Sequence, residues 1–240
     1  MSGTNQLSLM KLVAEKAVDT YVKSNSIIAL GTGRTSTFSL ERLAERIKTK
    51  AITNVFGIPT SQSTHLKAEE LEIPLLTLDD LISTGRKINI AIDGADSVDS
   101  NLNLIKGGGG ALFTEFMVEQ FSDQLIIMID ESKLCNGHLL ESHYLPIEIV
   151  KGCHLTTCNQ IYSKFKSQIV NWNVRKNSDG SLFLTDNGNL IIIQLFVLIN
   201  LMCKLIYHQI HGVVCSGLFL NMATKCLVAK SDNTIVTLER

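Results

Sequence analysis

The sequence predicts an α/β protein: a parallel sheet flanked by helices, with a smaller α+β subdomain in the C-terminal part. Three observations carry this reading. Short apolar runs of strand length alternate with segments of helical periodicity over roughly the first 130 residues. Glycine-rich turns follow two of those runs, at Gly31–Gly33 and Gly107–Gly110. Beyond Pro146 the strand-like runs succeed one another with few helices between them.

Met10, Val13, Ala14, Ala17, Val18 and Tyr21 recur at helical spacing and predict a first helix over about 7–23. The run 26–30 is a strand, and Leu40, Leu43, Ala44 and Ile47 mark the helix after the glycine turn. The pattern repeats as a strand over 51–56, a helix over 61–71, a strand over 74–78 and a strand over 88–92. A helix over 111–121 and a strand over 124–129 follow. Strands are expected at 146–150, 169–175, 181–185 and 190–196, with a helix near 157–166. The expected organisation is a main domain over 1–145, a small subdomain over 146–211 and a return to the main domain over 212–240.

The chain has 240 residues, 45% of them apolar and 19% charged, which suits a folded protein with a substantial core. Lys+Arg is 22 and Asp+Glu is 23. Near-neutral charge excludes a dedicated nucleic-acid binder, which needs a basic face to displace counterions. It leaves room for a small anionic ligand. Cys135, Cys153, Cys158, Cys203, Cys215 and Cys226 form no CxxC pair, so reduced thiols in a cytoplasmic setting are expected rather than a disulfide scaffold or zinc site. The N-terminal stretch lacks the uninterrupted apolar run of a secretory signal. The apolar run 190–207 is broken by Gln194, Asn200 and Lys204, and reads as a buried strand entering a buried helix rather than a membrane span.

Four motifs could carry chemistry. Gly31-Thr32-Gly33-Arg34-Thr35 lies between a strand and a helix, where free N–H groups and hydroxyls cradle a phosphate; a plain strand–helix turn has the same signature. Asp93-Gly94-Ala95-Asp96 puts two carboxylates at a strand's carboxyl end, the ligand-binding edge of open α/β sheets, or else forms a turn and helix cap. Asp96 and Asp99 lack the spacing and closing glutamate of a calcium loop, so no metal is expected. Lys106-Gly107-Gly108-Gly109-Gly110, with Glu115 beyond it, is a run whose backbone entropy cost points to close approach of a ligand. Asp130-Glu131-Ser132-Lys133 brings a second lysine to the same edge. Fixed cations beside a carboxylate suit proton abstraction next to a carbonyl on a phosphorylated substrate.

In this order the motifs resemble the type A ribose-5-phosphate isomerases. The match runs through GTG-x-T (31–35), GIPTS (57–61), IDGAD-x-VD (92–99), NL-x-L-IKGGGGAL (101–112), DESK (130–133), LPIE (145–148), TDNGN (185–189) and GVV-x-x-GLF-x-x-MA (212–223). The resemblance implies a Rossmann-like fold and interconversion of D-ribose 5-phosphate and D-ribulose 5-phosphate, a step of the non-oxidative pentose phosphate pathway. It implies Glu115 as the base acting through a cis-enediolate, Lys106 at the oxyanion, and Asp93 and Asp96 at the sugar hydroxyls and ring opening. Lys11, Thr32, Gly33, Arg34 and Thr35 would hold phosphate, with Gly107, Gly108 and Lys133 at the ligand. No metal or organic cofactor, no nucleic acid and no membrane is implied; a homodimer or homotetramer is.

The chain departs from that pattern at Arg34 in place of serine, Phe116 in place of lysine, Ile193 in place of aspartate, and Cys215-Ser216 in place of a Glu-His or Glu-Asn pair. Two other readings keep the fold and lose the activity: a sugar-phosphate sensor, against which the absence of a DNA-binding motif counts, and a degenerate paralogue.

Overall fold

The computed structural model describes residues 3–135, 137, 139–140, 143–196, 207 and 209–240. Helix α1, Gly3–Tyr21, leads into β1, Ser26–Leu30; α2, Arg34–Lys48, then returns the chain to β2, Val55–Pro59. Helices α3, Gln62–Glu70, and α4, Leu78–Thr84, precede β3, Ile90–Gly94. The short strands β4, Ser97–Val98, and β5, Leu104–Ile105, lead to α5, Leu112–Glu119, and β6, Leu125–Asp130. Next come β7, Leu145–Ile149, α6, His154–Phe165, β8, Ile169–Val174, and β9, Leu190–Phe196. The last strands are β10, Val213–Ser216, β11, Leu218–Phe219, β12, Lys225–Ala229, and β13, Ile235–Glu239.

Among the described residues the main sheet has the order β13-β12-β6-β3-β1-β2. Its four pairings from β12 to β2 are parallel, and β13 pairs antiparallel with β12. The sheet is thus parallel as expected from β12 to β2 and mixed only at its edge: the short Lys230–Thr234 turn, closed by Lys230 and Thr234 backbone groups, lets β13 fold straight back as a hairpin. A second sheet, β10-β7-β9-β8, is antiparallel throughout and forms the small subdomain. A third, β11-β5-β4, bridges toward the main sheet.

Both faces of the main sheet are covered, so its strands read as continuous apolar runs rather than alternating ones. Ile28, Leu30, Ile90 and Ile92 pack with Val13, Ala17, Leu40 and Leu43 from α1 and α2. Ile27, Ala29, Ala91, Ile127 and Ile129 pack on the other face with Leu81, Leu104, Val118 and Phe219. The small subdomain has its own core, in which Ile147, Ile149, Ile161, Phe165 and Ile192 meet.

The structure differs from the sequence expectation in three places, and a fourth expectation lies largely beyond the described residues. The strand expected at 51–56 lies at Val55–Pro59, because Lys50 and Asn54 take positive φ and turn the chain before it can pair. The expected strand at 74–78 is a single bridge from Leu75 to Gly57, and the Thr77–Asp80 capping box starts α4 there instead. The expected strand at 181–185 is a bridge between Lys176 and Leu182. The expected helix within 190–207 falls largely outside the described residues; Leu190–Phe196 is β9. Among the described residues no helix is long and apolar enough to cross a membrane.

Leu43 is fully buried between α2 and the sheet. Leu43→Ala is expected to cost about 2–5 kcal/mol, the range for a buried leucine whose cavity collapses only partly; the urea unfolding midpoint, at constant slope, measures it.

Candidate active site

The order β6-β3-β1-β2 lines up four strand ends at one edge of the main sheet. Lys133 follows β6, Asp93–Asp96 end β3, Thr32–Thr35 follow β1, and Thr60 and Ser61 follow β2. The glycine loop between β5 and α5 folds over this edge. Together they enclose a cavity of about 380 Å³, lined by Thr32–Ser36, Gly94–Asp96, Lys106–Gly109, Glu115, Lys133 and Met10. Its size is within the range for small-molecule sites.

Asp93 organises the floor. One carboxylate oxygen accepts from the backbone N–H of Thr32 at 3.0 Å, the Ser36 hydroxyl at 2.8 Å and the Gly94 N–H at 2.7 Å. The other accepts from Lys106 Nζ at 2.6 Å. Gly31 has to be glycine here, since a Cβ would run into the Asp93 carboxylate. Asp93 thus stands one layer behind the cavity with both oxygens engaged, not at its wall as the resemblance implied.

The Thr32 hydroxyl sits in a cluster with Thr60 Oγ1 and Ser61 Oγ at 2.8 Å each and Thr64 Oγ1 at 3.1 Å. Gly33, at φ 115°, turns the chain into α2 with no side-chain cap. The first-turn N–H groups of α2 therefore face the cavity without intrahelical partners. Arg34 and Thr35 line the same wall, Arg34 exposed. Lys11 lies outside the lining: it is on the solvent side of α1, 3.8 Å from Glu15, and Met10 faces the cavity in its place. One residue along a helix turns the side chain by about 100°, so only one of the two neighbours can face inward.

Behind the glycine loop lies a buried charge cluster. Lys106 Nζ meets Asp93 at 2.6 Å, Glu119 at 3.3 Å, Glu115 at 3.5 Å and the Gly94 carbonyl at 2.8 Å, and all four side chains are at most 4% exposed. Glu115 and Glu119 are one helical turn apart on α5, so both reach the same lysine. One cation among three carboxylates leaves excess negative charge in a dry place. Burial, with Asp93 and Asp96 adding to it and Lys106 opposing, pushes the Glu115 carboxyl up to about 8. Burial pushes Glu119 well up too, again against Lys106. Glu115 Oε2 and both Glu119 oxygens have no hydrogen-bond partner. Glu115 reaches the cavity wall; Glu119 stays behind it. Asp96 also reaches the wall, and accepts the Gly108 N–H at 2.7 Å.

The structure thus brings Glu115, Lys106, Asp96, Thr32, Gly33, Arg34, Thr35, Gly107, Gly108 and Lys133 around one cavity. Sequence reasoning missed Glu119, Ser36 and the Thr60–Ser61–Thr64 hydroxyls. The i, i+4 spacing of Glu115 and Glu119 could have flagged the first. Among the described residues no group of three or more His, Cys, Asp and Glu side chains is arranged to hold a metal ion.

Fold and site define an α/β protein with a buried lysine–carboxylate centre at the carboxyl edge of its sheet, beside a helix N-terminus that favours anions. Comparison with known proteins narrows the class. The sequence pattern of the family described as ribose 5-phosphate isomerase A (phosphoriboisomerase A) matches residues 56–233, and the chain belongs to that family. It is 41% identical over 238 residues to the ribose-5-phosphate isomerase of Plasmodium falciparum, covering 97% of this chain and 98% of that one. A solved structure of ribose 5-phosphate isomerase from Plasmodium falciparum superposes with a TM-score of 0.92 at 41% identity, over 98% and 99% of the two chains. That of ribose 5-phosphate isomerase A from Methanocaldococcus jannaschii gives 0.87 at 32% identity, over 97% and 99%.

The cluster makes stability depend on pH. The unfolded chain releases the Glu115 proton near 4.5, whereas the folded chain keeps it until about 8. Folding therefore holds an extra proton in that window, and the associated stability, complete below 4.5, is lost as pH rises through 8. Glu119 shifts in the same direction. Glu119→Gln removes one of these ionisations, so urea midpoints at pH 6 and pH 9 should differ less in the variant than in the parent.

Proposed function

We propose that this chain interconverts D-ribose 5-phosphate and D-ribulose 5-phosphate, with Glu115 as the general base. One observation carries the reading: a buried glutamate that lines the cavity, its Oε2 3.5 Å from the ammonium of a buried lysine that lines it too. In the open-chain aldose, Glu115 takes the proton from C2. The C2–H electron pair forms the C1–C2 double bond of a cis-enediolate, and the aldehyde oxygen takes up the negative charge beside Lys106. Glu115 returns its proton to C1 while the hydroxyl proton passes from O2 to O1, which yields the ketose. No cofactor enters this sequence. Asp96, at the wall, serves the sugar hydroxyls and ring opening; Asp93 orients Lys106.

The phosphate would lie against the start of α2, with Arg34, Thr35 and Gly33 on one side and Lys133 on the other. Lys11 would join only by leaving Glu15. Self-association as a homodimer or homotetramer belongs to the same reading and rests on the family resemblance.

Two expected outcomes test the assignment. In a coupled assay on ribose 5-phosphate, Glu115→Gln should lower kcat by about a hundredfold or more with little change in KM, as loss of a general base does. Near-full turnover would remove Glu115 from the role. Arg34→Ser should raise KM several-fold with kcat almost unchanged, the pattern of lost uniform binding. Added salt should then weaken substrate binding more in the parent than in the variant, because the parent has the additional screened attraction.

A further inference from the structure

The segment between β8 and β9 reaches out of the small subdomain and touches the glycine loop, the start of α3 and α5. Arg175 Nη1 donates to the Gly108 carbonyl at 3.0 Å. The Asp186 carboxylate accepts the Gln62 N–H at 2.7 Å, at the start of α3 beside the hydroxyl cluster of Thr32. Asn187 Nδ2 donates to Thr114 Oγ1 at 3.2 Å, next to Glu115 on α5. The segment is anchored from behind by buried Glu148 on β7, which accepts from Thr185 Oγ1 at 3.0 Å and Asn189 Nδ2 at 2.9 Å.

Arg175 makes the one of these contacts that falls on a residue lining the cavity. Its guanidinium stacks 3.9 Å over the Phe183 ring, and its own N–H and carbonyl are bonded to Ile191 and Phe183. The side chain is therefore rigid before it meets Gly108. The Gly108 residue is held at both ends: Asp96 takes its N–H at 2.7 Å and Arg175 gives to its carbonyl at 3.0 Å. The neighbouring glycines have no fixed conformation of their own. Gly107 and Gly110 sit at φ 104° and 92°, which glycine reaches without steric cost, and each gives up more backbone freedom on folding than any other residue would. The Phe183 ring closes on Gly110 so tightly that a Cβ there would come within 2.6 Å of it.

We propose that Arg175 is a positioning residue for the reaction: it fixes the glycine loop, through the Gly108 carbonyl, in the geometry that Lys106 and Asp96 require, and thereby makes the small subdomain part of the catalytic unit. Arg175 does not line the cavity, so it acts through the loop and not on substrate. The proposal rests on the isomerase reading given above.

The test uses Arg175→Gln and Arg175→Lys in the full chain. With ribose 5-phosphate, Arg175→Gln should lose about tenfold or more in kcat/KM, with a share of the loss in kcat, since a loosened loop misplaces reacting groups. Arg175→Lys keeps one charged donor and should recover part of the loss. Competitive inhibition by inorganic phosphate, which probes the cradle at the start of α2, should be unchanged in both variants. Hydrogen exchange of the 107–112 backbone should quicken in Arg175→Gln while exchange in β1 and β3 stays as in the parent. Weaker phosphate inhibition in step with KM would make Arg175 a direct phosphate ligand and overturn the proposal. Unchanged loop exchange, or exchange that quickens across the whole main sheet, would overturn it as well. A parent chain that does not turn over ribose 5-phosphate would overturn the isomerase reading alone, and the exchange measurement would still decide whether Arg175 holds the loop.

Discussion

A lysine ammonium removed from water needs compensation, and the way Lys106 obtains it organises the rest of the molecule. Its closest partner, Asp93, takes three further hydrogen bonds from the β1 turn, from α2 and from its own following residue. One ion pair thus fixes the spacing of β1, β3 and the glycine loop, and forces glycine at position 31. Buried pairs of this kind contribute little net stability, because desolvation cancels much of the attraction, but removing one partner leaves a buried charge uncompensated. Their value here is orientation. The same lysine then draws Glu115 and Glu119 inward on α5, and burial, aided by the charges of Asp93 and Asp96, keeps Glu115 protonated to higher pH than an exposed glutamate would be. A cation of substrate-facing chemistry and a carboxyl of tuned affinity for protons are consequences of a single packing decision.

Much of this was legible in the sequence because the relevant residues stand where periodicity ends. Asp93 closes an apolar run, the glycines of 31–33 and 107–110 interrupt helical patterns, and Glu115 has its fixed distance from Lys106. Parallel sheets bring such strand ends to one edge, so the cavity could be anticipated without coordinates. Three things could not. Lys11 and Met10 are neighbours on one helix, and which of them faces inward depends on the rotation of α1 against the sheet. The short strands β4, β5 and β11 are two residues each, too brief for any period to register. Arg175 looks like one more charge after a half-exposed strand; its meaning lies in a contact with Gly108, 67 positions away.

The small subdomain is therefore more than an appendage of the sheet. Its β8–β9 connection touches the glycine loop, α3 and α5, and it is tied down by Glu148, a buried carboxylate of β7 that burial pushes upward in affinity for its proton and that Asn189 and Thr185 partly relieve. A polar network of this sort specifies one arrangement of two layers that apolar packing alone would allow to slide.

The departures from the resembled pattern acquire a physical sense in the same region. Phe116, Ile193 and Cys215 are the positions where a lysine and two carboxylates were expected, and they meet in one apolar cluster with Leu112, Phe113, Phe183 and Ile191, between α5 and the small sheet. Here they contribute dispersion and buried apolar area where the resembled pattern has charges. Phe116 links this cluster to the buried lysine: it packs edge-on against Phe219 at 5.3 Å, and Lys106 stands 5.6 Å over that same ring. The lysine is thus backed by aromatic surface where a second cation was expected, and the imbalance between one ammonium and three carboxylates is left unrelieved from that side. In this chain the altered positions therefore lie one aromatic ring away from the buried lysine–carboxylate centre, joined to it through Phe116 and Phe219.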